Sequence, residues 1–334
     1  MDVVSQAVLG SSLSQSFARD KSKQLVALLI GALSGMAPDL DVLIASNHDP
    51  LLFLEYHRQF THSLLFIPVG ALACALVFYG IFRNKMSFSQ VYLFSILGFS
   101  THGLLDGCTS YGTQLFWPFS NERVALDIVS IVDPFFTLPV LAGIIFAAVT
   151  GSRTIARVTF IYAVVFLCLG FVQKNRAADA LHALADERGH VVERFTIKPS
   201  FANRHVWKMI YEADGRYYVD AVKLLWGVKY YSGTSVVKLN IERDYPWLLA
   251  NSQQAKDIER FRWFSDDYLA VDPNNNNIIL DVRYSMVPNQ IKLMWGIQLS
   301  HEDIKEDDLT RHVEFVVNST SDKKNRQEFS DIVF

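Results

Sequence analysis

The fold class of this chain is indicated most directly by the stretch HRQFTHSLLFIPVGALACALVFYGIF, from His57 to Phe82. Its segment Ser63–Phe82 contains no charged side chain, and it is close to the roughly 20 residues with which an α-helix spans a bilayer. Two histidines, His57 and His62, lie directly before this segment. The stretch therefore predicts a membrane helix with a polar cluster at its start.

Further apolar runs indicate that the first half of the chain is embedded in a membrane. Residues 1–173 hold 19 of the 65 Asp, Glu, Lys and Arg side chains, and residues 174–334 hold 46. Arginine and lysine are confined to the gaps between runs, which buried helices of a large soluble core would not explain. The other runs are Leu25–Ala37, which spans only if it continues through PDLD toward Ala45, and Val91–Leu105, Phe135–Thr150 and Thr159–Val172.

This division of charge predicts two domains. We expect residues 1–173 to form a mainly α-helical membrane domain, with about five transmembrane helices plus an N-terminal helix. We expect residues 174–334 to form a smaller α+β soluble domain. The opening stretch lacks the basic segment of a signal peptide. Its small residues, from Ala7 to Ser14, should let a helix pack closely against its neighbours.

Charge and cysteine content exclude several classes of function. The net charge is −3 and no block of lysine and arginine occurs, so we set nucleic-acid binding aside. The three cysteines are scattered and form no CxxC pair, which indicates neither a disulfide framework nor a zinc ribbon. The apolar runs show no internal repeat, so a transporter with two related halves is disfavoured.

Basic residues near the ends of the apolar runs predict an orientation. They occur in alternate gaps, at Arg19 to Lys23, at Arg83 and Lys85, and at Arg153 and Arg157. If these gaps are cytoplasmic, the polar motifs and the soluble domain lie on the extracytoplasmic side of a plasma (inner) membrane. Lys174 and Arg176, just after the last run, argue against this arrangement.

Three polar motifs lie at the ends of apolar runs: PDLD (Pro38–Asp41), HRQFTHS (His57–Ser63) and THGLLDG (Thr101–Gly107). An aspartate near the centre of a membrane helix costs roughly 2.5–3.5 kcal/mol, so each motif needs a reason. His102 and Asp106 are four residues apart and share a helix face. His57 and His62 are five apart, so both face one metal only if a helix begins between them, with Thr61 or Ser63 as its cap.

The motifs together favour a metal site with nitrogen and oxygen ligands. Such a set suits Zn²⁺, Mn²⁺ or Fe²⁺. Each motif alone also has an ordinary interpretation, because a lone histidine is usually hydrogen-bonded within the core and acidic residues after a proline usually form a solvated turn. Their convergence on one predicted membrane face, where Asp127 and Asp133 follow, distinguishes the combination.

The same motifs resemble the YdjM-like family of predicted membrane-bound metal-dependent hydrolases. The similarity covers nearly all of residues 1–172 in order, and THGLLDGCTSYGTQLFWPFSNERVALD makes it specific. The soluble half, with FANRHVWKMIYEADGRYYVDAV, is similar to the C-terminal region of one branch. The family is remotely similar to zinc-dependent phospholipase C and to single-strand nucleases, which implies hydrolysis of phosphoester-type bonds.

The resemblance implies a specific set of ligands and one departure from the family pattern. Many members begin with MDxxTHxxxG, whereas here Ser5 and Gln6 replace the Thr-His pair and Asp2 keeps its place. Glutamine is a poor ligand for a transition metal, so either one metal fewer is bound or Gln6 contacts substrate or water. Asp2 could still contribute a carboxylate. The family's metal ligands fall on Asp39, Asp41, His57, His62, His102 and Asp106.

We therefore expect a membrane hydrolase with a divalent metal, Zn²⁺ first and Mn²⁺ or Fe²⁺ as alternatives, that activates water for attack on a phosphoester or phospholipid. Asp39 and Asp106 are expected to act in catalysis, and Arg58 to neutralise a substrate phosphate unless it is an interfacial anchor. Arg123 is a second candidate for the phosphate. The lipid bilayer is the expected partner. The alternative is a non-catalytic regulatory or sensory membrane protein with a structural His/Asp site.

The soluble half has the alternation and the Tyr, Val and Ile content of strands, separated by turn signals such as DG and DPNNNN. A short helix is expected at Ala177–Arg188. The aromatic residues around Trp207 favour a buried core over a surface that contacts lipid. The acidic run EDIKEDD, Glu302–Asp308, is typical of a solvated face. Strands are predicted within residues 190–199, 211–224, 236–241, 268–272 and 277–287.

Overall fold

The computed structural model describes residues 1–301, 309–318 and 323–333, and the acidic run Glu302–Asp308 lies outside them. The chain clusters into two compact units. The first, the helical unit, comprises Met1–Ile44, Tyr56–Val172 and Phe201–Asn203. The second, the sheet unit, comprises Ala45–Glu55, Gln173–Ser200 and Arg204–Phe334.

The described residues form ten α-helices and several short 3₁₀ turns. The turns that matter below are Ala37–Leu43, Phe60–His62 and Leu64–Phe66. The helices are α1 (Val3–Phe17), α2 (Gln24–Met36), α3 (Leu52–Tyr56), α4 (Ile67–Phe82), α5 (Phe88–Gly107), α6 (Pro134–Thr150), α7 (Arg153–Glu187), α8 (Ile241–Asp244), α9 (Gln253–Phe264) and α10 (Lys323–Val333).

Three helical stretches of the described chain are long and apolar enough to cross a membrane, judged by length and composition. They are Lys21–Leu43, Leu64–Phe82 and Arg153–Glu187. The helix Pro134–Thr150 is apolar but shorter. A helical N-terminal region with membrane spans is therefore confirmed, whereas a count of about five spans stays a prediction.

The N-terminal helix α1 buries most of its small and polar residues and exposes Val3 and Val4 in its first turn. Ser11 Oγ donates to the Leu28 carbonyl at 2.9 Å, and Ser14 Oγ donates to the Phe94 carbonyl at 2.9 Å, so these buried hydroxyls are satisfied. A Cβ on Gly10 would lie 2.5 Å from the carbonyl oxygen of Gly31 in α2. The close packing predicted from the small residues is thus confirmed.

Helix α7 corrects the prediction of a separate short helix at Ala177–Arg188. These residues are helical to Glu187, but α7 runs without a break from Arg153. The reason is local, because no proline interrupts the 35 residues and the change from apolar to polar side chains does not by itself end a helix.

The sheet unit contains two four-stranded antiparallel sheets, ordered β1-β2-β3-β4 and β5-β6-β7-β8. Ile210 and Tyr217 of the first sheet share a buried cluster with Tyr268 and Leu280 of the second. The strands are β1 (Arg194–Pro199), β2 (Val206–Ala213), β3 (Arg216–Leu224), β4 (Val228–Val237), β5 (Leu269–Asp272), β6 (Asn275–Asp281), β7 (Trp295–Gln298) and β8 (Glu314–Val317).

Most predicted strands are confirmed, including the β2–β3 hairpin around the DG turn, but the strand predicted at 236–241 is wrong, because β4 ends at Val237 and α8 begins at Ile241. Trp207 and Tyr217 are fully buried, so they belong to the core and not to a lipid-facing surface. Most of β4 was not predicted, because this strand is largely exposed and its sequence VKYYSGTSVV has no apolar alternation. The short strands β7 and β8 were not predicted either, since four residues each carry little periodicity.

Candidate metal centre

Four side chains from three segments of the helical unit meet in one cluster, called here the four-donor cluster: Asp39, His62, His102 and Asp106. Asp39 lies on the 3₁₀ turn after α2, His62 on the turn Phe60–His62, and the other two on one face of α5. Their donor atoms all lie within 4.8 Å of one another. The four-residue spacing of His102 and Asp106 therefore brings both side chains to the same face of α5, as predicted.

The distances in the cluster fit the coordination shell of a metal ion. His62 Nε2 lies 2.9 Å from His102 Nε2, 3.4 Å from Asp106 Oδ2 and 3.5 Å from Asp39 Oδ1. His102 Nε2 lies 3.3 Å from Asp39 Oδ1 and 3.9 Å from Asp106 Oδ2. Two ligands about 2.0–2.1 Å from a tetrahedral zinc ion are about 3.3 Å apart, so the observed separations scatter around that value.

The histidine tautomers follow from the hydrogen bonds of the other ring nitrogens. His102 Nδ1 donates to the Gly35 carbonyl at 2.5 Å, and His62 Nδ1 donates to Thr61 Oγ1 at 2.9 Å. Each Nε2 is thereby left as the atom that faces the other histidine. Two Nε2 lone pairs at 2.9 Å repel each other unless a cation lies between them.

The electrostatics of the cluster also favour a cation. Burial alone would lower the pKa of the His62 imidazole, but the neighbouring carboxylates of Asp106, Asp39 and Asp41 raise that pKa to about 10. A proton therefore occupies this position when no metal is bound. A metal ion and a proton compete for the same nitrogen.

Asp106 is held so that one of its oxygens is presented to the cluster. Gln6 Nε2 donates to Asp106 Oδ1 at 2.8 Å, and the amino nitrogen of Met1 contacts the same oxygen. Asp106 Oδ2 is buried and accepts no hydrogen bond from any described residue, although Arg58 Nε lies 3.1 Å away as an ion pair. A buried carboxylate oxygen without a donor is what a metal ligand needs. Gln6 thus positions a ligand.

Arg58 is buried beside the four-donor cluster in a strained backbone conformation, with φ of +68°. Its N–H donates to Asp41 Oδ2 at 3.0 Å, and its carbonyl accepts from the Gln114 N–H at 3.0 Å. Its side chain donates from Nη1 to Thr109 Oγ1 at 3.3 Å. A left-handed non-glycine residue costs of order 1–3 kcal/mol, and such strain is concentrated at functional sites.

Asp41 and His57 lie at the edge of the cluster, and with Asp39 they form a second group of possible ligands. His57 Nδ1 is 2.7 Å from Asp41 Oδ1, while Thr61 Oγ1 donates to Asp41 Oδ2 at 2.7 Å. Asp41 therefore orients both histidines of the HRQFTHS motif. The side chains of Asp39 and His57 are 25% and 32% exposed, whereas His62, His102 and Asp106 are 0% exposed, so the cluster opens on this edge.

Several residues that the sequence analysis considered for the metal or phosphate site lie outside the cluster. Asp2 caps α1 and accepts from the N–H groups of Val4 and Ser5, so its expected contribution to the metal is wrong. Asp133 caps α6. The Arg123 guanidinium donates to the carbonyls of Tyr111 and Gly112, which fixes a loop. Asp127 is buried in a left-handed conformation and belongs to neither ligand group of the described residues.

Of the two caps considered from the sequence, Ser63 is confirmed, because it caps the turn Leu64–Phe66, whereas Thr61 joins His62 to Asp41. Other supporting residues were not predicted. Gly35 supplies the carbonyl that fixes the His102 tautomer. Carbonyl partners carry no sequence signal, but the Thr-His adjacency at Thr61 and His62 was a signal that could have been used.

The fold and the cluster define a class: helical membrane proteins whose buried His/Asp group could hold a metal ion. The comparison of sequences names the family. The sequence profile of the YdjM inner membrane protein family matches residues 1–177, and the chain belongs to that family. The resemblance stated from the motifs is thereby confirmed, and the membrane location with it.

Two curated relatives illustrate the similarity. The uncharacterized protein YfhP of Bacillus subtilis is 27% identical over 195 residues, which cover 58% of this chain and 58% of that protein. The inner membrane protein YbcI of Escherichia coli is 36% identical over 98 residues, covering 29% of this chain and 56% of that protein. The matches thus span less than two thirds of either relative. No solved structure matches this chain.

Proposed function

We propose that this protein is a membrane-bound metal-dependent hydrolase that acts on a phosphoester or lipid-like substrate. The observation that carries the proposal is Arg58, a buried cation held in a strained conformation 3.1 Å from a carboxylate of the four-donor cluster. In a purely structural metal site such a cation would only offset the negative charge of the carboxylates. A site that binds a phosphate anion does gain from it.

The donor set favours zinc, with Mn²⁺ or Fe²⁺ as alternatives. Two imidazole nitrogens and two carboxylate oxygens are ligands that all three ions accept. When bound, a divalent ion would supply Lewis acidity, lowering the pKa of a water toward 7 and polarising a phosphoryl oxygen. The His62 and His102 Nε2 atoms, Asp39 and Asp106 would hold it.

The remaining roles fall to side chains around the open edge. Arg58 would bind a non-bridging phosphate oxygen, with its guanidinium oriented by Asp106 and Thr109. Asp39, which is part-exposed, would also accept a hydrogen bond from the attacking water and so steer it. Asp41 would keep His62 and Arg58 in place through the contacts described above.

Replacing Arg58 with glutamine tests the catalytic role directly. We expect the zinc-loaded wild type to hydrolyse bis(p-nitrophenyl) phosphate or a short-chain phosphatidylglycerol, and Arg58→Gln to lower kcat/KM about 100- to 1,000-fold, because one preorganised charge is lost. Bound zinc per protein should stay unchanged. The measurement is steady-state hydrolysis together with metal analysis of each variant in detergent.

Arg19→Gln is the matched control, since Arg19 is an exposed arginine outside the cluster, and its rate should equal that of the wild type. If the metal-loaded wild type hydrolyses no phosphoester, the result contradicts the hydrolase proposal and favours a non-catalytic regulatory or sensory function. If hydrolysis occurs but Arg58→Gln retains the full rate, the role given to Arg58 is wrong.

We also propose a multi-pass topology of about five crossings, in which α5 and α6 join the three candidate spans. Apolar side chains of α6 such as Leu138 and Phe146 are exposed in the structure, which suits contact with lipid. The alternating basic gaps place the cluster and the C-terminal residues on the extracytoplasmic side. Reporter fusions at Asn84 and at Phe334 should then report opposite sides of the membrane, and the same side for both would exclude this topology.

A further inference from the structure

The tip of the β3–β4 hairpin, residues 225–228, exposes a continuous apolar surface. Its Trp226 side chain is 104% exposed, and Leu225 and Val228 are 45% and 53% exposed. By contrast, Trp207 in the neighbouring strand β2 is fully buried. Single exposed apolar residues are common on soluble surfaces, but a bare tryptophan flanked by leucine and valine on a hairpin tip is not.

The position of this tip along α7 indicates what covers it. Gln173 Nε2 donates to the Leu224 carbonyl at 3.4 Å, and Arg176 Nη2 donates to the Leu225 carbonyl at 3.2 Å. Gln173 and Arg176 are polar residues that directly follow the apolar run Thr159–Val172 of the candidate span. The hairpin is therefore attached to α7 where that helix changes from apolar to polar.

The composition around the tip matches a membrane–water interface. Tryptophan is enriched there because its ring is apolar while its indole N–H can reach headgroups. Lys229 follows the tip on β4, and Lys174 lies on α7 beside the attachment point, whereas the Lys223 ammonium group donates to the Val333 carbonyl at 2.8 Å. Basic side chains at this level attract anionic headgroups.

We infer that residues 225–228 insert into the headgroup and acyl boundary of the membrane that α7 crosses. The hairpin thus fixes the sheet unit's own end of α7 at the lipid surface, with an anionic phospholipid as the partner. Interfacial side chains of this kind penetrate about 5–10 Å, which places the Trp226 ring near the first carbons of the acyl chains. This inference does not depend on hydrolysis or on the metal.

Fluorescence quenching of the full-length protein in vesicles tests it. The protein is reconstituted in phosphatidylethanolamine and phosphatidylglycerol vesicles with and without lipid brominated near the top of the acyl chain. The emission of Trp226 is obtained as the difference between the wild type and Trp226→Phe. We expect that difference emission to be blue-shifted, quenched by brominated lipid and protected from aqueous iodide.

Trp263→Phe is the matched control, because Trp263 is a partly exposed tryptophan of α9 in the same unit. Its difference emission should not respond to brominated lipid. Trp226→Phe should keep the thermal midpoint of the wild type, since an exposed aromatic is exchanged for another. If the Trp226 emission is quenched by iodide and unaffected by brominated lipid, the inference is overturned. Protection from both quenchers overturns it too, because a protein then covers the tip.

Discussion

Replacing His102 with alanine should abolish high-affinity zinc binding and the stabilisation that zinc brings. In the wild type, zinc at about 100 times its Kd adds about 2.7 kcal/mol to the free energy of unfolding. His102→Ala removes one of two nitrogen donors and leaves only His62, Asp39 and Asp106 to hold the ion. The measurements are metal content after dialysis and the shift of Tm on adding zinc or a chelator.

A second substitution separates loss of metal from loss of fold. His102→Asn keeps an amide nitrogen near the place of Nδ1, so the hydrogen bond to Gly35 can persist while the Nε2 ligand is gone. His62→Ala should lose the metal as well. Gln6→Leu removes the hydrogen bonds to Asp106 Oδ1 and to the His102 carbonyl, and should weaken zinc binding about 10- to 100-fold without abolishing it.

Two histidines provide controls on this expectation. His48→Ala lies in neither ligand group of the described residues and should bind zinc like the wild type. His57→Ala should keep one ion per protein, and a fall from two ions to one would identify a second site at Asp39, Asp41 and His57. Unchanged zinc content in both His62→Ala and His102→Asn would rule out the four-donor cluster as the metal centre.

Gly103→Ala should be the most damaging single-methyl change in the helical unit. A Cβ at this position of α5 would lie 2.2 Å from the carbonyl oxygen of His62 and 3.1 Å from its carbonyl carbon. The obstacle is backbone, so the turn Phe60–His62 must move away from α5. Overpacking of this kind lowers the free energy of unfolding by about 1–3 kcal/mol. The higher helix propensity of alanine over glycine returns only about 1 kcal/mol. We expect a lower Tm and a loss of zinc affinity.

Gly80→Ala is a matched control, because Gly80 is a glycine of α4 that has nothing within 4 Å of the added methyl group. This variant should be neutral or more stable by up to about 1 kcal/mol, with zinc binding unchanged. Thermal unfolding in one detergent, with and without zinc, compares the two variants. Equal Tm and equal zinc affinity in Gly103→Ala would show that the approach of His62 to α5 is looser than described here.

The apolar runs predicted the helices of the first half well, since burial in lipid demands long apolar segments that periodicity and length reveal directly. The boundaries were less certain. Ala177–Arg188 appeared separate because the composition changes there, yet backbone hydrogen bonds continue through α7 regardless of side-chain polarity. Most of the exposed strand β4 was not predicted, because this strand lacks the one-sided apolar pattern of a half-buried strand.

For the candidate metal centre, residue types and spacing alone predicted the kind of donor atom and brought together one pair of possible ligands. Residue types gave nitrogen and oxygen donors, and the four-residue spacing put His102 and Asp106 on one face of α5, because helix periodicity is local. The same local reasoning could not place His57 and His62, which lie on irregular turns whose direction depends on distant contacts.

Only the tertiary structure decided which donors converge and which residues hold them. The His62 backbone lies against α5 because Gly103 permits this close approach, and Asp41, Thr61 and Gly35 fix the histidine rings. These contacts join residues 20 to 67 positions apart in the chain. Spacing in a sequence encodes neighbours along one helix or strand, whereas contacts between segments are set by packing, and that is why the shape of this site could not be read from the chain alone.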